Sequence, residues 1–160
     1  MLKRIPLTKT KPMGGHYAIV AAKYNARYVQ GMLRAAKARL AAARVGSLEV
    51  YRVPGAFEVP TLVARLARHH QPPLSAILCL GVILRGETKH ADHIGEAVSH
   101  ALARIQVETE VPVIHAVLLF ENVAQARARC LSREHNRGWE AAHTALEMAQ
   151  VMAEVAARNR

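Results

Sequence analysis

The longest unbroken apolar segment of the chain runs from Ala76 to Leu84 and stops at Arg85. Nine apolar or glycine residues in a row, several of them β-branched, are typical of a strand buried on both faces. An amphipathic helical pattern follows from about Lys89 to Thr109. The pattern therefore predicts a central strand, a short polar turn and a long helix.

The same two patterns alternate along the rest of the chain. Apolar or alternating runs predict three more strands, and stretches with an apolar residue every three or four positions predict four more helices. The strands are His16–Ala22, Leu48–Val53 and Val111–Leu119; the helices run from Tyr28 to Val45, from about Val59 to near His69 or His70, from just after Asn122 to about Leu131, and from about Trp139 to Val155. This order predicts an α/β domain with a four-stranded parallel sheet and helices on both faces.

Polar or aromatic residues follow each predicted strand. The exits are Tyr24–Asn25, Pro54–Glu58, Arg85–His90 and Phe120–Asn122. Because the carboxyl ends of parallel strands lie at one edge of a sheet, we expect these segments to converge on a ligand site.

The third exit suggests an anion site at the start of a helix. Free N–H groups and the helix dipole attract negative charge there, and Arg85 and Lys89 add positive charge. Thr88 is a candidate N-cap of this helix, as Asn25 is of the first. His90 is placed to move a proton.

Composition narrows the class of protein. A 51% hydrophobic and 21% charged chain of 160 residues predicts one folded domain over residues 16–160, preceded by a flexible basic arm at residues 1–15. No apolar run approaches the roughly 20 residues of a membrane span, and the N-terminus does not resemble a secretory signal. The two cysteines, Cys79 and Cys130, are expected to be reduced. A cytoplasmic location follows as the expectation.

The formal net charge of +10 raises the possibility of nucleic-acid binding. The basic residues are dispersed, however, and only 4% of residues are aromatic, which leaves few stacking platforms. A nucleic-acid partner is therefore not expected, although a basic nucleic-acid-associated protein remains the alternative of another class.

The spacing of His90 and His93, with Glu87 and Asp92 nearby, is compatible with a metal site. Such clusters on one helical turn arise easily, and no distant third ligand is indicated. No metal is expected.

Four segments carry a family resemblance. The chain resembles the lumazine synthase family over about residues 16–155, through Val53–Pro60, Leu80–His90, Gln106–Val113 and Asn136–Ala142. The resemblance implies a flavodoxin-like three-layer α/β/α sandwich and a transferase of riboflavin biosynthesis. That enzyme condenses 5-amino-6-(D-ribitylamino)uracil with 3,4-dihydroxy-2-butanone 4-phosphate to 6,7-dimethyl-8-ribityllumazine, releasing phosphate and water without a cofactor. It also implies a homo-oligomer, either a pentamer or a pentamer-based shell, with sites between subunits.

The resemblance assigns the ribitylaminouracil to residues of the first three exits. Tyr24 would stack on the uracil ring, and the backbone of the third strand would address the pyrimidine edge through Val82, Ile83 and Leu84. The ribityl chain would be held by Ala56, Phe57 and Glu58. His115 falls where the family contacts the uracil from the neighbouring subunit.

The phosphate and the proton transfers are assigned to other residues. Glu87 and Thr88 match the phosphate-binding turn, and Arg129 matches the arginine that completes it. His90 matches the histidine that shuttles protons, since an imidazole both gives and takes a proton near neutral pH.

The chain departs from the family pattern at several positions. His115 stands where phenylalanine is usual, and Arg133 and Arg137 stand where the loop before the last helix usually carries lysines. These departures keep open a second hypothesis, a non-catalytic lumazine- or flavin-binding or shell-forming paralogue.

Overall fold

The computed structural model of the chain describes residues 13–160. The predicted basic arm of residues 1–15 therefore lies outside the described residues, except for its last three. Those three run beside the end of the first helix: the Met13 N–H donates to the Ala43 carbonyl at 3.0 Å, and the Gly15 carbonyl accepts from the Ser47 N–H at 3.1 Å.

Four parallel strands form the sheet. They are β1 (His16–Ala22), β2 (Ser47–Val53), β3 (Ala76–Leu84) and β4 (Val113–Phe120), in the spatial order β2-β1-β3-β4. The apolar run that begins at Ala76 is β3, which pairs with both β1 and β4. The predicted parallel sheet is thus confirmed, and β2 and β4 are its edge strands.

The helices cover both faces of this sheet, as predicted for a three-layer α/β/α sandwich of the flavodoxin-like type. They are α1 (Ala26–Ala42), α2 (Val59–His69), α3 (His90–Thr109), α4 (Val123–Cys130) and α5 (Arg137–Arg158), with a short 3-10 turn over Ala56–Glu58. Successive side chains of a strand point to opposite faces, so β3 serves two cores. Leu78 and Leu80 pack with α1, α4 and α5, whereas Ile77 and Cys79 pack with α2 and α3.

The start of α5 is locked against α1 and α4. The Asn136 side chain accepts from the Gly138 N–H at 2.8 Å, and its amide donates to the carbonyls of Cys130 (2.8 Å) and Gly31 (3.3 Å). A Cβ on Gly138 would overlap the backbone of Met32, so the two helices pack backbone to backbone at this point.

Both predicted helix caps differ in the structure. Asn25 precedes α1 in a left-handed conformation (φ 56°) and makes no capping hydrogen bond; its amide instead donates to the Val82 carbonyl at 2.7 Å. Lys89, not Thr88, occupies the N-cap position of α3, and the Thr88 hydroxyl accepts from the His90 N–H at 3.3 Å. The Asn25 side chain is diverted by its distant partner Val82, which the local pattern does not encode, whereas Thr88 bonds the first N–H of α3 from one position before the N-cap.

Candidate functional site

Three of the four strand exits meet in one cavity of about 690 Å³, here named the strand-exit cleft. Its walls come from the exits of β1, β2 and β3 and from the first two turns of α3. The lining residues are Tyr24, Asn25, Gly55, Ala56, Phe57, Glu58, Val82, Ile83, Leu84, His90, His93, Ile94 and Ala97. The predicted convergence is therefore confirmed for these three exits.

Hydrogen bonds fasten the exits to one another. The Tyr24 N–H donates to the Pro54 carbonyl at 3.1 Å, which joins the exits of β1 and β2. The Asn25 amide joins the exit of β1 to β3 through the Val82 carbonyl. These bonds hold the segments that line the cleft in fixed relative positions. Such a cleft suits a ligand that several protein groups must contact at once.

Two aromatic rings stand exposed in the cleft. Tyr24 is 67% exposed and Phe57 is 60% exposed, whereas the large apolar side chains of β1, and those of β3 up to Ile83, are buried. A Cβ on Gly55 would lie 2.7 Å from the Tyr24 ring, so glycine leaves the room that this ring occupies. Exposed rings over an open cavity provide a stacking surface for a flat ligand.

Glu58 supplies the carboxylate of the cleft. Its Oε2 accepts a hydrogen bond from the Gly55 N–H at 2.9 Å, which closes the turn after β2. This bond fixes the carboxylate at the rim, where its other oxygen is available to hydroxyl donors.

Arg85 does not serve the cleft as the sequence suggested. Its guanidinium binds Asp92 through two bonds of 2.7 and 2.8 Å and Glu121 through a third of 2.7 Å. The hydrogen bonds from Arg85 to Asp92 lower the pKa of the Asp92 carboxyl. The charge of Arg85 is thereby neutralised, and its role is to tie the turn after β3 to α3 and to the exit of β4.

The turn between β3 and α3 carries the remaining predicted groups of this exit. His90 lines the cleft, while Glu87 and Thr88 lie exposed in the adjoining turn and are not part of its lining. The turn thus presents backbone and side-chain groups beside the cleft rather than inside it.

His115 and Arg129 lie away from the strand-exit cleft. Arg129 is on α4, partly exposed, and makes no ion pair among residues 13–160. His115 is exposed on the edge strand β4. The exit of β4 also stays outside the cleft, since the Phe120 carbonyl accepts from the Arg85 N–H at 2.9 Å.

Both ring nitrogens of His115 are engaged. Its Nδ1 accepts from the Val117 N–H at 3.1 Å, and its Nε2 lies 2.8 Å from the Ser99 hydroxyl, which itself donates to the Gly95 carbonyl at 2.7 Å. This chain of bonds requires a neutral ring with the proton on Nε2. Desolvation of the ring lowers the pKa of His115, which favours the same neutral form.

Sequence reasoning missed several residues of the cleft. Asn25 and Gly55 lie in predicted exits but received no role there, and Ile94 and Ala97 lie on the helix wall. His93 was considered only as a metal ligand, although its position one turn after His90 is a signal that both line one wall.

Metal-ligating side chains and long apolar helices are two further features of interest. Among residues 13–160, no three His, Cys, Asp or Glu side chains are grouped so that they could hold a metal ion. In the same part of the chain, no helix combines the length and the apolar character that crossing a bilayer demands.

The family profile and the similar proteins all carry one description. The sequence profile of the family described as 6,7-dimethyl-8-ribityllumazine synthase matches residues 14–153. A protein of that name from Stenotrophomonas maltophilia (strain K279a) is 38% identical over 143 residues, covering 88% of this chain and 91% of the relative. Its namesake from Xanthomonas oryzae pv. oryzae (strain PXO99A) is 36% identical over 144 residues, covering 89% and 92%.

Proposed function

The chain belongs to the 6,7-dimethyl-8-ribityllumazine synthase family, and we propose that the strand-exit cleft is the active site. The reaction is the penultimate step of riboflavin biosynthesis. It condenses 5-amino-6-(D-ribitylamino)uracil with 3,4-dihydroxy-2-butanone 4-phosphate and releases phosphate and water. The family match favours neither a non-catalytic paralogue nor a nucleic-acid-associated protein.

One observation carries the assignment of the site. An exposed aromatic ring, a carboxylate and an imidazole, which are Tyr24, Glu58 and His90, line one cavity although they come from three separate exits. These are the groups that a flat ring, a polyhydroxyl chain and a proton-transfer reaction require.

The ribitylaminouracil would lie between the rings and the edge of β3. Tyr24 would stack on the uracil, and the backbone of Val82, Ile83 and Leu84 would bind the polar edge of the pyrimidine. The ribityl chain would extend toward the turn that contains Ala56, Phe57 and Glu58. There the Glu58 carboxylate would accept hydrogen bonds from hydroxyl groups.

The phosphate of the second substrate would lie at the turn before α3. The Thr88 hydroxyl and the free N–H groups at the start of α3 favour an anion there, and Glu87 would hold the turn. Arg85 is neutralised by Asp92 and Glu121, so the turn offers the Lys89 ammonium but no free guanidinium charge to this anion. We assign that charge to Arg129, which stabilises the leaving phosphate by a charge-assisted bond.

Arg129 and His115 would reach the cleft from a neighbouring subunit. Neither lines the cleft of its own chain. We therefore propose a homo-oligomer, a pentamer or a shell built from pentamers, whose sites lie between adjacent subunits. The mass in solution tests this: a species of about five chains, each of 17.5 kDa, or a multiple of it is expected. A monomer at micromolar concentration would contradict it.

A cytoplasmic location is the remaining proposal. It is supported by the two cysteines, Cys79 and Cys130, which are both free and buried. Free thiols are usual in a reducing compartment.

The decisive experiment mixes both substrates with the protein and follows the lumazine product by its absorbance. The wild-type protein is expected to form product, and His90→Asn to lower kcat by about 100-fold or more because proton transfer is lost. His100→Asn is the matched control, since His100 lies on the same helix outside the cleft. Equal activity of His90→Asn and wild type would contradict the assignment of His90.

A further inference from the structure

The strand-exit cleft holds two histidines. His90 and His93 are the first and fourth residues of α3, and both line the cavity. Side chains three positions apart lie on one face of a helix, roughly 5–6 Å apart at their Cβ atoms. Ile94 and Ala97 extend the same wall. This face of α3 is therefore turned toward the ligand space over two turns.

His93 is not engaged by the protein. Within residues 13–160 its side chain makes no hydrogen bond and no ion pair, whereas the rings of His70 and His115 are each bonded through both nitrogens. An exposed helical histidine is usually just solvated, as His100 on the same helix is. His93 differs from His100 because it faces the cleft.

The reaction proceeds near neutral pH, and apart from His90 the ionisable groups around His93 are not imidazoles. Tyr24 and Glu58 face the cleft from the first and second exits, and Glu58 is held by the Gly55 N–H. On α3 itself Asp92 is bound to Arg85, and Lys89 and Glu96 flank the ring in sequence. Imidazole is the side chain that both donates and accepts protons under these conditions.

We propose that His93 is a second proton-transfer residue of the condensation, acting together with His90; this rests on the proposed function of the cleft. Imine formation breaks two N–H bonds of the amine and the C=O bond of the ketone, forms the C=N bond, and expels the oxygen with both protons as water. One imidazole accepts the first proton from nitrogen while the other, protonated, delivers one to the oxygen. The second proton moves with the two roles exchanged, which returns the pair to its starting state and consumes no further reagent.

The test compares His93→Asn and His93→Gln with wild type and with the control His100→Asn. Steady-state kcat and KM are measured for both substrates from pH 5.5 to 9, and folding is checked by circular dichroism. Both His93 variants are expected to lower kcat about 10- to 100-fold, with KM changed less than about threefold, and to lose one limb of the kcat–pH curve. His100→Asn is expected to match wild type.

Two outcomes would overturn the proposal for His93 alone. The first is a wild-type enzyme that is active and a folded His93→Asn variant with kcat within twofold and an unchanged pH curve. The second is a rise in KM with kcat preserved, which would make His93 a binding contact. If wild type forms no lumazine, the proposed function itself fails, and the inference fails with it.

Discussion

At the scale of single residues, Glu58 makes a structural bond and, in the proposed site, also binds the ligand. Its Oε2 is held by the Gly55 N–H at 2.9 Å, and its second oxygen remains at the rim of the strand-exit cleft. Replacing Glu58 by Gln keeps an acceptor for Gly55 but removes the negative charge. Hydrogen bonds to a charged acceptor are the stronger ones, so the KM for ribitylaminouracil is expected to rise about five- to tenfold.

In the same kinetic assay, kcat of Glu58→Gln should stay within about threefold of wild type, because the ribityl chain is remote from the reacting atoms. Glu154→Gln, on the exposed end of α5, is the matched control and should change neither constant. A loss of kcat with KM unchanged would argue that Glu58 takes part in the chemistry instead.

The residues that the sequence places correctly in the cleft are those whose location follows from the topology. Tyr24, Glu58 and His90 lie in the segments that follow β1, β2 and β3, so parallel topology is enough to bring them together. Asn25 and Arg85 were misjudged because their partners are distant in sequence: Val82 for the first, Glu121 for the second. In the sequence, Asn25 reads as a helix cap and Arg85 reads as a free positive charge whether or not such partners exist.

At the scale of elements, the edge strand β4 carries a pH-sensitive bond. The Val117 N–H is satisfied by Nδ1 of His115, which requires a neutral ring, and desolvation lowers the pKa of His115. A lowered folded pKa means that stability is present above the ordinary value of about 6.5 and is lost as the pH falls through the folded value. Replacing His115 by Phe should lower Tm by about 2–4 °C at pH 8, and this difference should shrink at pH 5.

Thermal melts of His115→Phe and wild type at both pH values measure this effect, with His100→Phe as a control for a ring on the surface. A deficit that grows as the pH falls would show that the ring is protonated in the folded protein.

A histidine at the end of α2, beside the opposite edge strand β2, has a pKa shift of the opposite sign. Nδ1 of His70 donates to the Pro72 carbonyl at 2.7 Å, and its Nε2 donates to Glu49 at 3.1 Å. The hydrogen bond to the Pro72 carbonyl raises the pKa of His70, and the bond to Glu49 raises it further. Its contribution to stability is therefore present below about pH 6.5 and is lost as the pH rises through the raised folded value.

Replacing His70 by Gln should accordingly lower Tm by about 1–3 °C at pH 6 and by less at pH 9, as expected for an exposed ion pair. The neighbouring His69→Gln is the matched control, because His69 is exposed and makes no hydrogen bond among residues 13–160. An equal deficit at both pH values would mean that the ring acts only through packing or neutral hydrogen bonds.

The elements themselves were predictable to within a few residues at their ends. The run Ala76–Leu84 is β3 without change, since a strand buried on both faces has no polar residue to blur its limits. The first helix ends at Ala42 rather than Val45 because Arg44 takes a left-handed conformation (φ 54°), which no glycine marks in the sequence.

At the scale of the whole molecule, the parallel three-layer fold follows from the alternation of strand and helix patterns. What the pattern along one chain does not contain is the relation between copies. Arg129 matches the family in sequence and His115 replaces its usual phenylalanine, yet both lie outside the cleft that holds Tyr24, Glu58 and His90. If these two residues act in the cleft, as we propose, a second chain has to bring them to the first.

Subunit mixing tests this arrangement directly. His90→Asn and Arg129→Ala should each be nearly inactive alone, because each removes one of two groups needed at every site. In a pentamer reassembled from equal amounts of both, a site is intact when a chain with His90 meets a neighbour with Arg129, which occurs at about one quarter of the sites. Activity should therefore return to about a quarter of the wild-type value, measured by lumazine formation, whereas mixing His90→Asn with His90→Gln should restore none. Failure of the first mixture to regain activity, with reassembly confirmed by mass, would mean that Arg129 serves the cleft of its own chain.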